Sequence, residues 1–421
     1  MANQIHKKFT DEQVKNLMNR YVKGEIRRED IERLLGIAKS RFFILLKKYR
    51  EQPETFSVQY QRSHVTRPLD PDVENNILNE LKHTKDFIDD KNMPIWSYNY
   101  SFIRNDLEKY HHQKVALSTI IKRAKKHGFY IQRKKKQKIH DREVITNHVG
   151  ELIQHDSSYH RWSPYVTEKW WLITSLDDFS RMIFYAMLVL RDTALAHIRA
   201  IQSVFLDYGL PMSFYVDSDS VFRFIRDRDV LHYRHHQFTD QANPQWKQIL
   251  HDCQVKIIYA LSPQAKGKVE RPYRWLQDHL VRICARDNIS TIDMANQALF
   301  KELHDYNYKR VHSTTGEIPS LRYKKALKEN KNLLRPFVIP PPFQSPKDIF
   351  CLRLDRTVDA YRTVSVQNMR LKFNNAPIHQ TVNLRIYPDE KSQMSEIRFW
   401  FKGQLLDVQK VKSNLLPCVH F

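Results

Sequence analysis

Three carboxylates stand where different segments of the chain could bring their side chains together. Asp156 ends a predicted strand, Asp217 ends a later predicted strand, and Glu270 falls in the first turn of a predicted helix. Side chains at the strand ends of an α/β sheet face a common crevice, so we expect these three to lie close to each other. The chain has 47 acidic residues, so position alone also allows an accidental arrangement.

A cluster of this kind indicates metal chemistry. Packed carboxylates repel each other and raise each other's pKa, and a divalent cation removes that penalty. Ligands that are all oxygen favour Mg²⁺ or Mn²⁺ over Zn²⁺. Two such ions, roughly 3.5–4 Å apart, would activate a water or a 3′-hydroxyl for in-line phosphoryl transfer and stabilise the leaving oxygen.

The charge of the chain agrees with a polyanionic partner. The net charge is +22 and the pI about 9.7, which favours binding to DNA or RNA. A hydrophobic fraction of 41% is sufficient for packed cores. A ribosomal or merely basic protein is the alternative, and the aromatic content of 12% argues against a ribosomal tail.

The cysteines and the termini indicate the compartment. The four cysteines form no C-x-x-C pair, so we expect neither a zinc knuckle nor a redox motif. The N-terminus lacks the apolar region of a signal peptide, and no stretch approaches the roughly 20 apolar residues that span a bilayer. We expect a cytoplasmic, nucleoid-associated protein that does not enter membranes.

The first helices predict a helix-turn-helix in residues 1–55. A helix capped by Asp11 ends at Gly24, and Arg28 to Leu35 forms a second helix. Gly36 makes the turn into a third, basic helix from Ala38 to Tyr49. Its candidate DNA-binding residues are Lys39, Arg41 and Lys47. An ordinary helical hairpin is the alternative.

Residues 66–130 form a second helical block that also resembles a helix-turn-helix. We predict helices from Asp72 to Lys82, from a Ser97 cap to Tyr110, and from Ser118 to His127. The last of these carries the candidate DNA-binding residues Lys122, Arg123 and Lys126. Residues 131–145 then read as a basic linker, which is either solvated or in contact with phosphates.

From residue 146 to residue 325 the pattern changes to strands alternating with helices, which predicts an α/β layer structure. Residues 326–346 are rich in proline and read as a linker. Residues 347–421 are predicted to form a small β-barrel. Its predicted strands are Thr363 to Val366, Val382 to Tyr387, Ile397 to Phe401 and Gln404 to Val408.

Five motifs in order resemble the catalytic core of retroviral-integrase-like DDE transposases. They are Gly150-Glu-Leu-Ile-Gln-His-Asp156, Leu176-Asp-Asp-Phe-Ser-Arg181, Tyr215-Val-Asp-Ser-Asp-Ser-Val-Phe222, Ser262-Pro-Gln-Ala-Lys-Gly-Lys-Val-Glu-Arg271, and Tyr306-Asn-Tyr-Lys-Arg-Val-His312 followed by Pro319. The helical blocks and the β-rich tail also look like those of bacterial insertion-sequence transposases near the ISNCY type.

The resemblance implies an RNase H-like fold, strand transfer by a 3′-hydroxyl, and Asp156, Asp217 and Glu270 as ligands of two Mg²⁺ or Mn²⁺ ions. Asp219 stands where many relatives have glycine, and it is either a decoy or an auxiliary ligand. The long spacing before Glu270 indicates an insertion around residues 223–241. Pro272 also departs from the family pattern, and a first helical turn tolerates it.

Two further groups are candidates. Four basic residues flank Glu270 and would either hold DNA phosphates or form an exposed basic face: Lys266, Lys268, Arg271 and Arg274. Three histidines in a basic loop would either bind a metal or simply face solvent or DNA: His232, His235 and His236.

Together these features predict a multidomain chain with N-terminal all-α helix-turn-helix domains, an α/β RNase H-like catalytic core and a C-terminal small β-barrel. The predicted function is a DNA transposase that binds the terminal inverted repeats of its element, cleaves there and joins the 3′-hydroxyl to target DNA. Its partners would be double-stranded DNA and further copies of itself, as a homodimer or larger assembly on DNA. The alternatives are a transposase-derived DNA-binding regulator without catalysis and a plain RNase H-like nuclease.

Overall fold

The computed structural model describes residues 5–59, 69–131, 146–216, 245–259, 267–366, 369–389 and 392–416, and in the helix that begins at Gly267 it describes side chains from residue 273 onward. Several predicted residues lie outside the described part: Asp217, Asp219, His232, His235, His236 and Lys266, together with the side chains of Lys268, Glu270 and Arg271. The chain divides into two compact units, Met1–Glu74 and Asn75–Phe421.

The first unit is helical, as expected. It contains α1 (Asp11–Val22), α2 (Arg28–Leu35) and α3 (Lys39–Glu51). The cap of α1 is Thr10, which forms a capping box with Gln13. Asp11, the predicted cap, instead accepts hydrogen bonds from Ser57 and from the backbone N–H of Val58.

The turn between α2 and α3 agrees with the sequence prediction. Gly36 ends α2 with a φ of 63°, a left-handed conformation that glycine adopts without strain. The buried faces of the helices meet in one small core, whose largest members are Met18, Ile31, Leu35 and Phe42. The geometry is therefore that of two helices joined by a tight turn.

Three further helices follow in the described residues: α4 (Pro71–Asp89), whose first four residues belong to the first unit, α5 (Tyr100–His111) and α6 (Leu117–Lys126). Helix α4 extends beyond the predicted end at Lys82. The cap of α5 is Asn99 rather than Ser97, because the side-chain oxygen of Asn99 accepts from the backbone N–H groups of residues 101 and 102.

A five-stranded mixed sheet forms the centre of this unit. In chain order the elements are β1 (Ile153–His160), β2 (Trp170–Asp177), β3 (Ile183–Val189), α7 (Ala194–Asp207), β4 (Ser213–Val216), α8 (Gln245–Asp252), β5 (Lys256–Tyr259) and α9 (Gly267–Arg286). The strand order is β3-β2-β1-β4-β5. Strands β1, β2 and β3 are antiparallel neighbours, whereas β4 is parallel to β1 and to β5. The predicted α/β core is therefore confirmed.

Asp156 does not end its strand, which corrects the sequence prediction. Strand β1 continues to His160, and Asp156 pairs with Thr174 in the middle of the β1–β2 ladder. Two polar residues, Ser157 and Ser158, follow Asp156, so the sequence pattern does not indicate that the strand continues. Both are half buried, and each bonds a polar side chain of another segment, Asp192 for Ser157 and Gln277 for Ser158.

Helix α10 (Ile292–Tyr308) covers the edge of the sheet at β3, and α11 (Pro319–Lys328) packs against α10. The side-chain amide of Asn307 bonds both backbone groups of Ile183, at 3.0 and 2.9 Å, and Asn296 does the same for Leu188, at 2.8 and 3.0 Å. These amides satisfy the outer backbone groups of an edge strand, which would otherwise be open to pairing with another chain.

The C-terminal region contains a short helix and six strands: α12 (Pro346–Ile349), β6 (Leu352–Thr357), β7 (Thr363–Val366), β8 (Met369–Lys372), β9 (Thr381–Asp389), β10 (Met394–Phe401) and β11 (Gln404–Lys412). Strands β11, β10, β9 and β6 form an antiparallel sheet, and β7 pairs with β8 in a separate ribbon. The predicted small barrel is not confirmed, because the described strands form no closed sheet.

This C-terminal sheet shares its hydrophobic core with the central sheet. Phe350 packs against Phe205 of α7 and against Phe337, with ring centroids 5.9 and 5.4 Å apart. The side chain of Gln245 on α8 bonds both the N–H and the C=O of Arg353, each at 2.8 Å. The two sheets are therefore packed together as one body. No helix in the described part of the chain is long and apolar enough to cross a membrane.

We predict that Phe350→Ala lowers the stability of the whole second unit by about 3–5 kcal/mol, because a fully buried ring leaves a cavity between the two sheets. Urea unfolding followed by tryptophan fluorescence would measure this. Tyr361→Ala, at a side chain that is 80% exposed, is the control and should change little. If the C-terminal sheet unfolded in a separate transition while the central sheet kept its wild-type midpoint, the shared core would be refuted.

Candidate functional site

Asp156 lies half buried in the middle of the central strand β1. Because side chains alternate along a strand, Asp156 shares one face of the sheet with Gln154 and Ser158, while His155 and Ser157 lie on the other face. The two faces have different neighbours, and each neighbour contributes to the position of the carboxylate.

Helix α9 packs on the face that carries Asp156. The hydroxyl of Thr174, the residue paired with Asp156, bonds the hydroxyl of Tyr273 at 2.7 Å. One helical turn later, the amide of Gln277 donates to the hydroxyl of Ser158 at 3.0 Å. These two contacts bring α9 alongside Asp156.

A buried chain of histidines lies on the opposite face. Nε2 of His155 is 2.8 Å from Nδ1 of His197, and Nε2 of His197 is 2.6 Å from a carboxylate oxygen of Asp192. Nδ1 of His155 is 2.8 Å from the hydroxyl of Ser175. If both rings are neutral, the hydroxyl of Ser175 donates to Nδ1 of His155, and Nε2–H of His155 donates to Nδ1 of His197. Nε2–H of His197 then donates to Asp192, so every ring nitrogen has a partner.

The histidine chain fixes β1 against α7. Both histidine side chains are fully buried, and the His155 ring also stacks on Trp246 at 5.8 Å. Ser157 adds a hydrogen bond to Asp192 at 3.2 Å. The sequence does not predict this network, because two histidines 42 residues apart match no known motif spacing.

The acidic pair of the β2–β3 hairpin has a structural role. Asp177 is fully buried and accepts hydrogen bonds from the N–H of Gly150 and from the N–H and hydroxyl of Ser180, at 2.9, 2.7 and 2.6 Å. Burial raises the pKa of Asp177 to about 6, although these hydrogen bonds oppose the rise. Asp178 bonds Arg181 at 2.9 Å and also Gln154. The Leu176–Arg181 motif therefore forms the turn between β2 and β3 and fixes that turn to residues just before and within β1.

The far end of α9 is held by buried charges. Arg286 forms ion pairs with Glu80 on α4, at 2.8 Å, and with Asp106 on α5. Burial raises the pKa of Asp106 to about 7, with a contribution from Glu80, and outweighs the opposing charge of Arg286. Arg282 adds bonds to Asp278 and to the carbonyl of Ser97. These contacts pack the second helical block on α9.

The basic residues predicted to bind DNA lie on several helices. On α3, all three are exposed, whereas Phe42, Leu45 and Leu46 of the same helix are buried. On α6, Lys122 and Lys126 are exposed and Arg123 is half buried. Arg274 is exposed on α9. The α3 group belongs to the first unit, and the α6 group and Arg274 belong to the second.

The described side chains contain no group of three or more His, Cys, Asp or Glu residues arranged to hold a metal. Two of the three predicted ligands do not belong to this set, because neither Asp217 nor the side chain of Glu270 is described.

No protein-family model matches the chain. The protein named "Putative transposase y4bF", from Sinorhizobium fredii (strain NBRC 101917 / NGR234), is 28% identical over 244 residues, which are 58% of this chain and 48% of that protein. The "Transposase for insertion sequence IS1202" from Streptococcus pneumoniae is 27% identical over 172 residues, 41% of this chain and 35% of that protein. The matches thus span less than half of each relative's length. They confirm the resemblance to insertion-sequence transposases.

Solved structures of retroviral integrases show a partial likeness. The catalytic core of BIV integrase is 17% identical, with a TM-score of 0.30, over 43% of this chain and 98% of that one. The HTLV-2 integrase catalytic core in complex with magnesium is 16% identical, with a TM-score of 0.31, over 42% and 97%. A simian T-cell lymphotropic virus intasome in complex with PP2A regulatory subunit B56 gamma is 11% identical, with a TM-score of 0.36, over 73% of this chain and 95% of that one.

Proposed function

We propose that this chain is a DNA transposase of the DDE type, which cleaves DNA at the ends of its element and joins the 3′-hydroxyl to a target. In this proposal Asp156, Asp217 and Glu270 are the metal ligands and the core is RNase H-like. The observation that carries the proposal is the register between β1 and β4.

Strands β1 and β4 are parallel and pair Ile153 with Phe214 and Gln154 with Tyr215. Paired residues are therefore 61 positions apart, which is also the separation between Asp156 and Asp217. Asp217 lies outside the described residues and follows β4 directly. We infer that the same register continues by two residues beyond the pair of Gln154 with Tyr215 and sets the two aspartates side by side. A separation of 63, to Asp219, does not match the register.

Helix α9 supplies the third position. Glu270 precedes Tyr273 by three residues and Gln277 by seven, and an α-helix repeats its faces at these intervals. Tyr273 and Gln277 both bond residues of the sheet beside Asp156. Helical spacing thus favours position 270 on the side of α9 that packs on β1.

The donor set fits a hard divalent cation. Carboxylate oxygens are the ligands that Mg²⁺ and Mn²⁺ prefer, and the half-buried Asp156 is accessible enough to coordinate an ion. We propose two such ions, which would supply charge stabilisation and an activated nucleophile at the phosphorus. The protein itself contributes position: the hydrogen bonds of Tyr273 and Gln277 fix α9, and the histidine chain fixes β1.

We predict that Asp156→Asn, Asp217→Asn and Glu270→Asn each reduce Mg²⁺-dependent strand transfer by at least about 10³-fold, while DNA binding measured in a gel shift stays nearly intact. The reason is that the carboxylates serve the metal and not the DNA contacts. Asp219→Asn, the matched control, should retain most activity.

A different outcome would reject parts of this assignment. If Asp219→Asn is inactive and Asp217→Asn is active, the second ligand is wrong. If the wild-type chain binds element ends but does not cleave them in the presence of Mg²⁺ or Mn²⁺, the chain is instead a transposase-derived regulator. Cleavage without preference for element ends would favour a plain nuclease.

We also propose that α3 inserts into the major groove as the recognition helix of a helix-turn-helix. Lys39, Arg41 and Lys47 are exposed on it, and Phe43 and Ile44, which are 44 and 48% exposed, could contact base methyl groups. We propose that Lys122, Arg123 and Lys126 on α6 contact phosphates in the same way as the basic residues Lys266, Lys268, Arg271 and Arg274 around Glu270.

If α3 binds DNA in this way, Lys39→Ala and Arg41→Ala should each weaken binding to element-end DNA and lower the salt slope of log Kd by about 0.9 per lost phosphate contact. Fluorescence anisotropy across a series of salt concentrations measures both quantities. Lys23→Ala is the control, since Lys23 follows α1 and is also exposed. Equal losses for all three variants would indicate diffuse attraction to the net charge of the chain.

The proposed partners are double-stranded DNA and further copies of the chain. A mobile element has two ends, and concerted insertion requires an active site at each of them. Because the chain carries a charge of +22, DNA would assist assembly by neutralising it. Mass photometry of the active mixture should show at least two chains on paired ends. A single chain per duplex in that mixture would contradict assembly.

A further inference from the structure

A cavity of about 620 Å³ lies between the second helical block and α9. Its walls include Tyr98, Tyr100 and Tyr130 on one side and Arg274, Trp275 and Asp278 of α9 on the other. A volume of this size is within the range of small-molecule sites. The aromatic and charged side chains of these walls indicate the kind of ligand that the cavity would recognise.

The tyrosine wall offers flat aromatic faces. The rings of Tyr98 and Tyr100 are 6.0 Å apart and inclined by only 7°, and those of Tyr100 and Tyr130 are 6.2 Å apart and inclined by 13°. Tyr130 is 41% exposed, and the ammonium of Lys125 lies 4.7 Å from its ring centroid. Aromatic side chains with neighbouring cations are typical of sites that stack the bases of unpaired nucleic acid.

The α9 wall offers polar groups. Asp278 is held by Arg282, at 3.0 Å, and by the amide of Asn99. Burial opposes its ionisation, but these two partners lower the pKa of Asp278, so the carboxylate is an acceptor at neutral pH. Arg274, which is exposed on the same wall, supplies a donor. A ligand with both donors and acceptors on a flat ring matches these two groups.

The cavity is close to the proposed active site along α9. Arg274 follows Glu270 by one helical turn, or about 6 Å of rise. Tyr273, between them, bonds Thr174 opposite Asp156. A DNA strand at the active site could therefore reach the cavity with an adjacent nucleotide.

We propose that this cavity receives one unpaired nucleobase of the DNA strand that the active site holds, an inference that rests on the proposed function. The base stacks on the tyrosine wall, Asp278 accepts a hydrogen bond from its amino or imino group, and Arg274 and Lys125 face the flanking phosphates. Extruding a base costs a few kcal/mol of lost stacking and pairing, and stacking on the protein offsets that cost. Such a site would hold the DNA end open for cleavage.

Binding of single strands by the full-length chain tests this without any metal or catalysis. With a fluorescein-labelled deoxycytidine oligomer of about ten nucleotides, Tyr130→Ala should weaken binding by about tenfold, because stacking contributes roughly 1–3 kcal/mol per base. Binding to a blunt duplex of the same length should stay within about twofold. Tyr130→Phe keeps the ring and should match the wild type on both probes, as should Tyr361→Ala, whose exposed ring lies outside the cavity.

Photocrosslinking identifies the contact itself. An oligomer that carries 5-iododeoxyuridine should crosslink to the tyrosine wall or to Trp275. The proposal is overturned if the wild-type chain does not bind the oligomer, if Tyr130→Ala binds it as tightly as the wild type, if duplex binding falls equally, or if all crosslinks lie outside the cavity.

The proposed function fails by a different measurement. Strand transfer by the wild-type chain in Mg²⁺ does not depend on the oligomer assay. If strand transfer is absent while Tyr130 still determines single-strand binding, the catalytic assignment is wrong and the cavity assignment stands. If strand transfer is present and Tyr130→Ala is neutral on both probes, the cavity assignment alone is wrong.

Discussion

The two-sided pairing of β1 is the constraint on which the rest of the second unit depends. This strand pairs antiparallel with β2 and parallel with β4, so its register fixes both neighbours at once. A shift of one residue would move Asp156 to the face occupied by the histidine chain and bury a charge among rings. The alternation along β1 therefore separates a polar, half-buried face from a fully packed one.

The second constraint is the position of α9 relative to that strand. Bringing carboxylates together without a cation is unfavourable, so elements that carry them must be held by contacts elsewhere. In this chain those contacts are the hydrogen bonds of Tyr273 and Gln277 to the sheet and the ion pairs of Arg286 with Glu80 and Asp106. The helical block from α4 to α6 thereby acts as a support for α9, in addition to the DNA contacts proposed for it.

The sequence predicted the elements that have strong local signals and missed those set by distant partners. Hydrophobic periodicity and the glycine turn placed α2 and α3 within a few residues, because these signals are local. The end of β1 was placed too early, since Ser157 and Ser158 find their partners in the segment before α7 and on α9. The His155–His197 pair and the open C-terminal sheet depend on contacts between remote segments, which no single stretch of sequence reveals. For the proposed triad, the motif spacing and the β1–β4 register point to the same pair of aspartates.

Metal-directed cleavage of the backbone tests the convergence of the three carboxylates most directly. Fe²⁺ can replace Mg²⁺ at sites with oxygen ligands, and with ascorbate and peroxide it cuts the chain where it binds. We predict cuts in three segments, around Asp156, Asp217 and Glu270, and their joint loss in Asp156→Asn. Cuts at only one of these segments, or cuts that persist around Asp217 and Glu270 in the variant, would contradict a shared metal site.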